Sequence, residues 1–388
     1  ESRWDETKDA LLEGLEGSRR SSMSVVLENT KKYLAEAAST GATSSGNVAT
    51  LNRVILPVIR RVMPTVIANE IVGVQPMQGP VSQIHTLRVR YADSVTSAAS
   101  SPFDTDTTAG DEALSPFKIA TAYSGSASTG KADVTSAKEG TGGNNISIQI
   151  LKQPVEAKTR KLQARWTFEA AQDAQSMHGI DVEAEIMAAL AQEITAEIDQ
   201  EVLGSLRSLA GTEFTYNQAA VSGTATYVGD EHAALAVLIN RVANLIAQRT
   251  RRGAGNWAVV SSAALTVLQS ATTSAFARTT EGTFEAPTNT KFVGTLNGAM
   301  RVFVDSYAPD TQAVLVGYKG SSETDAAAFY CPYIPLMSSG VVLDPATFEP
   351  VVSFMTRYGY IELTNTASSF GNAADYLGEI AVQNLTFQ

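Results

Sequence analysis

Apolar residues recur at every fourth position from Val182 through Ile186, Leu190, Ile194, Ile198 and Val202 to Leu206, with no glycine or proline before Gly204. This spacing predicts an α-helix from Asp181 to about Leu209, because residues four apart stack on one helix face. Asp181 is placed to cap the first N–H groups, and Glu183 and Glu185 meet the positive end of the helix dipole. At 1.5 Å per residue such a helix is about 40 Å long, enough to form a spine across the protein. The acids Glu193, Glu197, Asp199 and Glu201 fall mostly off the apolar row.

A period of two occurs twice. Ile84, Thr86, Arg88 and Arg90 alternate with His85, Leu87, Val89 and Tyr91, and Ile146, Ile148 and Ile150 alternate with Ser147 and Gln149, so each run reads as a strand. Between them the chain is rich in Ser, Thr, Ala, Gly and Asp and ends in Gly140-Thr141-Gly142-Gly143-Asn144-Asn145. Two strands flanking a long polar excursion make an extended hairpin arm, whose natural use is to reach over a neighbour.

Upstream, residues 1–37 combine mixed charge with Val25, Val26, Leu27, Tyr33 and Leu34, which predicts an amphipathic helix, followed by an Ala-Ser-Thr-Gly-rich linker through Thr50. A tethered helix has no core of its own, so its apolar stripe must dock elsewhere on the chain or on another copy. Residues 51–77 read as a helix with Val54, Ile55, Val58, Ile59 and Val62 inward, then a turn marked by Pro64. Beyond Thr212 the pattern is mixed. A hairpin over Phe214–Val228, helices over Glu231–Gln248 and Ala263–Gln269, and strands at Trp257–Val260, Met300–Asp305, Ala313–Gly317 and Ala328–Pro332 predict a second α/β unit. The segment carrying Val351, Val352, Phe354, Met355, Tyr358 and Tyr360 reads as strands returning to the first unit.

Composition narrows the function. With 388 residues the chain exceeds what one hydrophobic core serves, and at 44% hydrophobic it is a folded rather than a disordered protein. A net charge of −11 argues against a surface that grips nucleic acid through its phosphates. The lone cysteine, Cys331, rules out an intrachain disulfide, which fits assembly in a reducing cytoplasm. The apolar run Val54–Val74 is interrupted by Arg60, Arg61, Pro57, Pro64 and Glu70, so no membrane span or signal peptide is predicted. The first residue is Glu1 rather than methionine, which reads as a processed or trimmed start.

No catalytic, cofactor or metal constellation emerges. His85, His178 and His232 are far apart and lack metal-ligand spacing. Asp104, Asp106, Asp111 and Glu112 resemble a calcium loop only loosely, since Ala109 and Ser115 stand where Gly and Glu would be needed. No nucleophile elbow or phosphate loop is present, because Gly140–Asn145 is not followed by Lys-Ser/Thr. The densest basic spot is Arg249, Arg251 and Arg252 before Gly253-Ala254-Gly255. Phosphate binding is one reading of this spot; because Arg forks suit carboxylates and the net charge repels polyanions, the favoured reading makes these arginines, with Arg60 and Arg61, candidate inter-subunit contacts for spine-helix acids such as Glu193 and Glu197.

Several short strings in order carry a family resemblance: Arg60-Arg61-Val62-Met63-Pro64, Gly73-Val74-Gln75-Pro76-Met77, Val155-Glu156-Ala157-Lys158-Thr159-Arg160, Ala171-Gln172-Asp173, His178-Gly179-Ile180-Asp181, Arg252-Gly253-Ala254-Gly255-Asn256, Val316-Gly317-Tyr318-Lys319-Gly320 and Thr356-Arg357-Tyr358-Gly359. Together they resemble the major capsid proteins of T-even-type tailed bacteriophages. That resemblance implies an α+β, Hong Kong 97-type capsid fold. Its parts would be an N-terminal arm at 1–50, a peripheral domain at 51–91, 151–228 and 336–388 built on the spine helix, an extended loop at 92–150, and an α/β axial domain at 229–335. It further implies a virion structural protein that self-assembles into hexamers, with a vertex paralogue, scaffold, prohead protease and decoration protein as partners. No enzyme activity, cofactor, membrane or sequence-specific nucleic acid enters this reading. The 92–150 segment is shorter than the insertion domain of the best-known members. Lys131, Lys138, Asn144 and Asn145 are residue types used in isopeptide crosslinks by some shells, but no matching motif surrounds them. The alternatives are an encapsulin-type compartment around a cargo enzyme, against which the long N-terminal arm speaks, and a soluble enzyme, for which no constellation exists.

Overall fold

The computed structural model describes residues 17–39, 67–96, 106–113, 120–178, 181–222, 228–270, 276–278, 291–363 and 373–385, together with Trp4, Lys8 and Leu12. The helix expected near Val54–Val62, Arg60, Arg61 and Asp104 lie outside them. In chain order come α1 (Gly17–Ser39), β1 (Gly73–Val74), β2 (Val81–Tyr91), β3 (Ile146–Glu156), β4 (Lys158–Arg165), α2 (Phe168–His178) and α3 (Val182–Leu209). Then follow β5 (Thr212–Asn217), α4 (Val228–Thr250), β6 (Trp257–Val260), α5 (Ser262–Ser270), β7 (Phe276–Arg278), β8 (Lys291–Leu296) and β9 (Met300–Val304). The chain closes with β10 (Val314–Gly317), β11 (Ala328–Ser338), β12 (Val342–Leu343), β13 (Pro350–Glu362) and β14 (Leu377–Gln383).

The long helix forms as its spacing predicts. Asp181 caps α3, its carboxylate accepting from the N–H groups of Glu183 and Ala184, and Arg207 sits in the last turn, where a cation meets the negative dipole end. Leu190, Ile194, Ile198, Val202 and Leu206 are buried along one row, and Ala191, Thr195, Asp199 and Leu203 along the next. The second row carries a correction, because Asp199 is buried rather than solvated.

Two sheets pack around this helix. The first has the order β1-β11-β13-β12, with β4 on the other edge of β13. The second has seven strands in the order β5-β14-β10-β6-β9-β8-β7. Alternate residues of its central strands face opposite ways: Trp257, Val259, Phe303 and Leu315 join the core shared with α3 and the first sheet. Ala258, Val260, Val302, Val304 and Val316 join the core under α4 and α5. Strands covered on both faces read as continuous apolar runs, which is why no alternation marks them in the sequence. Gly317 is required because a Cβ there would overlap the Trp257 ring.

Three expectations change. The hairpin expected at Phe214–Val228 is instead β5, followed by the short helix Gln218–Ser222, and β5 pairs in parallel with β14. Strand β11 pairs with β13 and β1 in the first sheet rather than with its sequence neighbour β10. The final strand, β14, joins the second sheet next to β10. The N-terminal helix docks on its own chain: Met23 and Leu27 pack on Ile334 and Met337 of β11. Asn29 fixes that position by donating to the carbonyls of Met77 and Tyr333 at 2.9 and 3.1 Å.

Candidate assembly surfaces

Strands β2 and β3 form a two-stranded antiparallel ribbon paired without a break from Val81↔Glu156 to Tyr91↔Ile146. Directly opposed residues share a face, so Leu87, Val89 and Tyr91 line up with Ile150, Ile148 and Ile146. Leu87, Ile146, Ile148 and Ile150 are 65, 58, 67 and 67% exposed. The other face carries Arg88 and Arg90, and Arg88 is buried 3.7 Å from Glu112. The face carrying Leu87, Ile148 and Ile150 is thus apolar and exposed, while Arg88 on the other face meets Glu112 of the chain's own excursion.

The excursion at its far end folds on itself. Tyr123 packs on Tyr91 with ring centroids 4.4 Å apart, and its hydroxyl donates to the Asn145 carbonyl. Asn144 Nδ2 donates to the Tyr123 carbonyl at 2.6 Å, and the Asp93 carboxylate accepts the Asn145 N–H at 2.7 Å. Asn144 and Asn145 therefore hold the loop in shape. Lys138 lies 3.8 Å from Asp133, and Lys131 lies on the exposed part of the loop.

Three of the predicted contact residues, Arg249, Arg252 and Glu197, form ion pairs within their own chain. Arg249 lies 2.5 Å from Glu213, and Arg252 2.6 Å from Asp325. Glu197 accepts from Arg160 at 2.6 Å, and the same guanidinium holds Glu201 and the Tyr358 hydroxyl, tying β4, α3 and β13 together. Burial alone would raise the Glu201 pKa, but the hydrogen bonds from Arg160 and Tyr358 outweigh it and hold the carboxylate below its usual range. Glu193 and Arg251 are exposed, Arg251 with a left-handed backbone at φ 51°.

Sequence spacing missed a buried charged cluster between α3 and the second sheet. Arg207 lies 2.7 Å from Asp305, and both are nearly inaccessible at 5 and 0%. Asp305 also accepts from Gln200 at 2.9 Å. Asp199 accepts the Ile67 N–H at 3.0 Å, and burial, opposed by that bond and reinforced by Asp305, pushes its pKa to about 7. Burial likewise raises Glu379 to about 7 against the pull of Arg207. The signal was present, since Asp199 lies four residues from both Thr195 and Leu203. Among the described residues, no group of three or more His, Cys, Asp or Glu could hold a metal ion, and no helix is long and apolar enough to cross a membrane.

Two pairs of the strings that carried the resemblance meet, 252–256 with 316–320 and 155–160 with 356–359, and a third string, 73–77, joins β11. Gln75 and Met77 N–H groups donate to Tyr330 and Pro332 of β11. Asn256 exchanges side-chain and backbone bonds with Lys319, while Arg160 reaches Tyr358. Residues scattered along the sequence thus meet at joints between elements of one α+β fold.

The chain belongs to the family described as major capsid protein Gp23, whose model matches residues 48–382, and it is a structural component of a phage virion. It is 30% identical to the major capsid protein of Vibrio phage KVP40, covering 85% of this chain and 80% of that one. It is also 30% identical to the major capsid protein of Enterobacteria phage T4, covering 81% and 76%. Among solved structures, the capsid of the cyanophage P-SCSP1u aligns at a TM-score of 0.46 and 12% identity, covering 81% of this chain and 86% of that one.

Proposed function

We propose that this chain builds a tailed-phage icosahedral head of Hong Kong 97-type architecture, assembling with copies of itself into hexameric capsomers around the packaged genome. The observation that carries the reading is the ribbon's outward face, where Leu87, Ile146, Ile148 and Ile150 stand in water in the isolated chain. An apolar face of that kind is costly for a monomer and useful for a subunit that lays it on a neighbour. Residues 92–150 then act as the extended loop and 1–50 as the arm; the seven-stranded sheet with α4 and α5 acts as the axial domain, whose expected bounds of 229–335 gain β5 and β14 and lose β11, and the first sheet with α3 acts as the peripheral domain. Arg251 and Glu193 fit polar rim contacts, as do the outer faces of Arg249, Arg252 and Glu197 beyond their own pairs.

The role is structural rather than enzymatic. A scaffold, a prohead protease, a vertex paralogue and a decoration protein are the further partners such a head uses. Family membership favours this head over an encapsulin-type compartment. Negative-stain electron microscopy with light scattering of the purified chain tests the proposal. Hexameric rings, tubes or closed shells are expected, and a uniformly monomeric or dimeric population at high concentration contradicts it.

A further inference from the structure

Strand β4 is an edge of the first sheet: among the described residues it pairs with β13 alone, without a break from Lys158↔Tyr358 to Arg165↔Val351. The Trp166 N–H donates to the Pro350 carbonyl at 3.2 Å, which fixes the phase of the ladder. Bonded and non-bonded residues alternate in an antiparallel pair. Lys158, Arg160, Leu162 and Ala164 therefore bond toward β13, and Thr159, Lys161, Gln163 and Arg165 turn their N–H and C=O groups to the open side. Ser353, opposite Gln163, agrees with this phase: its N–H and C=O bond to Ser339 on the far side of β13, at 3.0 and 2.9 Å. Among the described residues, nothing bonds to the outward groups of β4. A regular edge of eight residues is long to leave bare, since sheets commonly shorten, bulge or cover their edges.

The side chains divide by face. Thr159, Lys161, Gln163 and Arg165 are exposed on one face. Leu162 and Ala164 lie half-buried on the other, packed against the core shared with α3. A strand added at this edge would meet cations four residues apart on one face and an unfinished apolar row on the other. Arg165 is held only loosely by its own chain, 51% exposed and 3.7 Å from Glu349. The same cations speak against a second β4 as the occupant. Pairing two copies about Gln163 sets Lys161 against Arg165, and like charges directly opposite each other are destabilising.

We infer that the β4 edge receives an extended segment of a separate protein by strand addition, one that alternates small apolar residues with polar ones and carries acids four positions apart. Main-chain bonds would give such a contact its affinity, and the acid–cation pairs and the apolar row its selectivity. The unassembled chain already carries this edge, so the inference stands apart from the shell reading.

An end-capped, dye-labelled peptide, Val-Glu-Val-Thr-Val-Glu-Val, titrated into the unassembled chain at low salt, tests it by fluorescence polarisation. Saturable binding is expected, with slowed hydrogen exchange at the amides of Thr159, Lys161, Gln163 and Arg165. No binding, or amides already protected in the chain alone, would overturn the inference. Lys161→Glu with Arg165→Glu should weaken binding about tenfold, and a peptide with Lys in place of Glu should recover it. Parent and variant that bind both peptides equally would show adsorption without strand addition and count against the edge. Gln163→Pro removes an outward donor but no ladder bond, a change that edge strands tolerate, and should block the peptide while leaving stability nearly unchanged. Assembled particles that no longer bind the peptide would mean that another copy occupies the edge, which overturns the separate partner.

Discussion

Strands β6 and β3 carry similar side chains and put them in opposite places. Trp257–Val260 of β6 is buried on both faces between α3 and the α4/α5 layer. Ile146, Ile148 and Ile150 of β3 all project to one face, and that face stands in water. The difference separates two tasks. The second sheet stabilises the subunit, whereas the ribbon adds little to its stability and holds apolar area for another copy. A substitution in the first region should unfold the chain, and one in the second should leave it folded but unassembled.

The largest effect is expected where the two sheets meet α3. Arg207→Ala leaves Asp305 as an uncompensated buried charge and should destabilise the unassembled chain by about 3–5 kcal/mol in urea denaturation. A loss below about 1 kcal/mol would mean that the cluster is wetter than its burial implies. Leu203→Ala, at a fully buried position of α3, should cost about 3 kcal/mol by the same measurement.

A pH titration sharpens the same region. Asp199 and Glu379 have folded pKa values raised to about 7, above the ordinary 3.8 and 4.5 of these side chains. The folded chain therefore binds more protons than the unfolded one in that window. Their contribution is complete below pH 4 and is lost as pH rises toward 7. Asp199→Asn keeps an acceptor for the Ile67 N–H and should flatten that fall, leaving the part due to Glu379. An unchanged slope would show that Asp199 is ionised when folded. Smaller still, Arg249→Ala removes a partly exposed pair with Glu213 and should cost about 1 kcal/mol or less.

Local chemistry was legible in the sequence wherever the partner lay close along the chain. Spacing and the Asp181 cap located α3 nearly to the residue, and alternation located β2 and β3. What was not legible depended on distant partners. Nothing within Phe214–Val228 announces that Thr212–Asn217 pairs in parallel with the last strand of the chain. Nothing near Ala328 assigns β11 to one sheet over the other, because it is buried on both sides. The arginine cluster was visible as charge and pointed to another copy, whereas the acids that Arg249 and Arg252 meet, Glu213 and Asp325, come from distant elements of the same chain, which spacing does not show. Asp199 was misplaced because counting every fourth residue from Val182 follows one row, while the buried face is two rows wide.

The central claim is that the ribbon's apolar face drives assembly without holding the subunit together. Ile146→Thr, Ile148→Thr and Ile150→Thr in one chain keep β-branching on the strand while removing that face. Sedimentation velocity of parent and variant, with urea denaturation of each, tests the claim most directly. The account predicts a parent that sediments as capsomers or shells and a variant that stays a single copy with stability within about 1 kcal/mol of the parent. A variant that assembles at the parent's concentration, or one that unfolds, would contradict it.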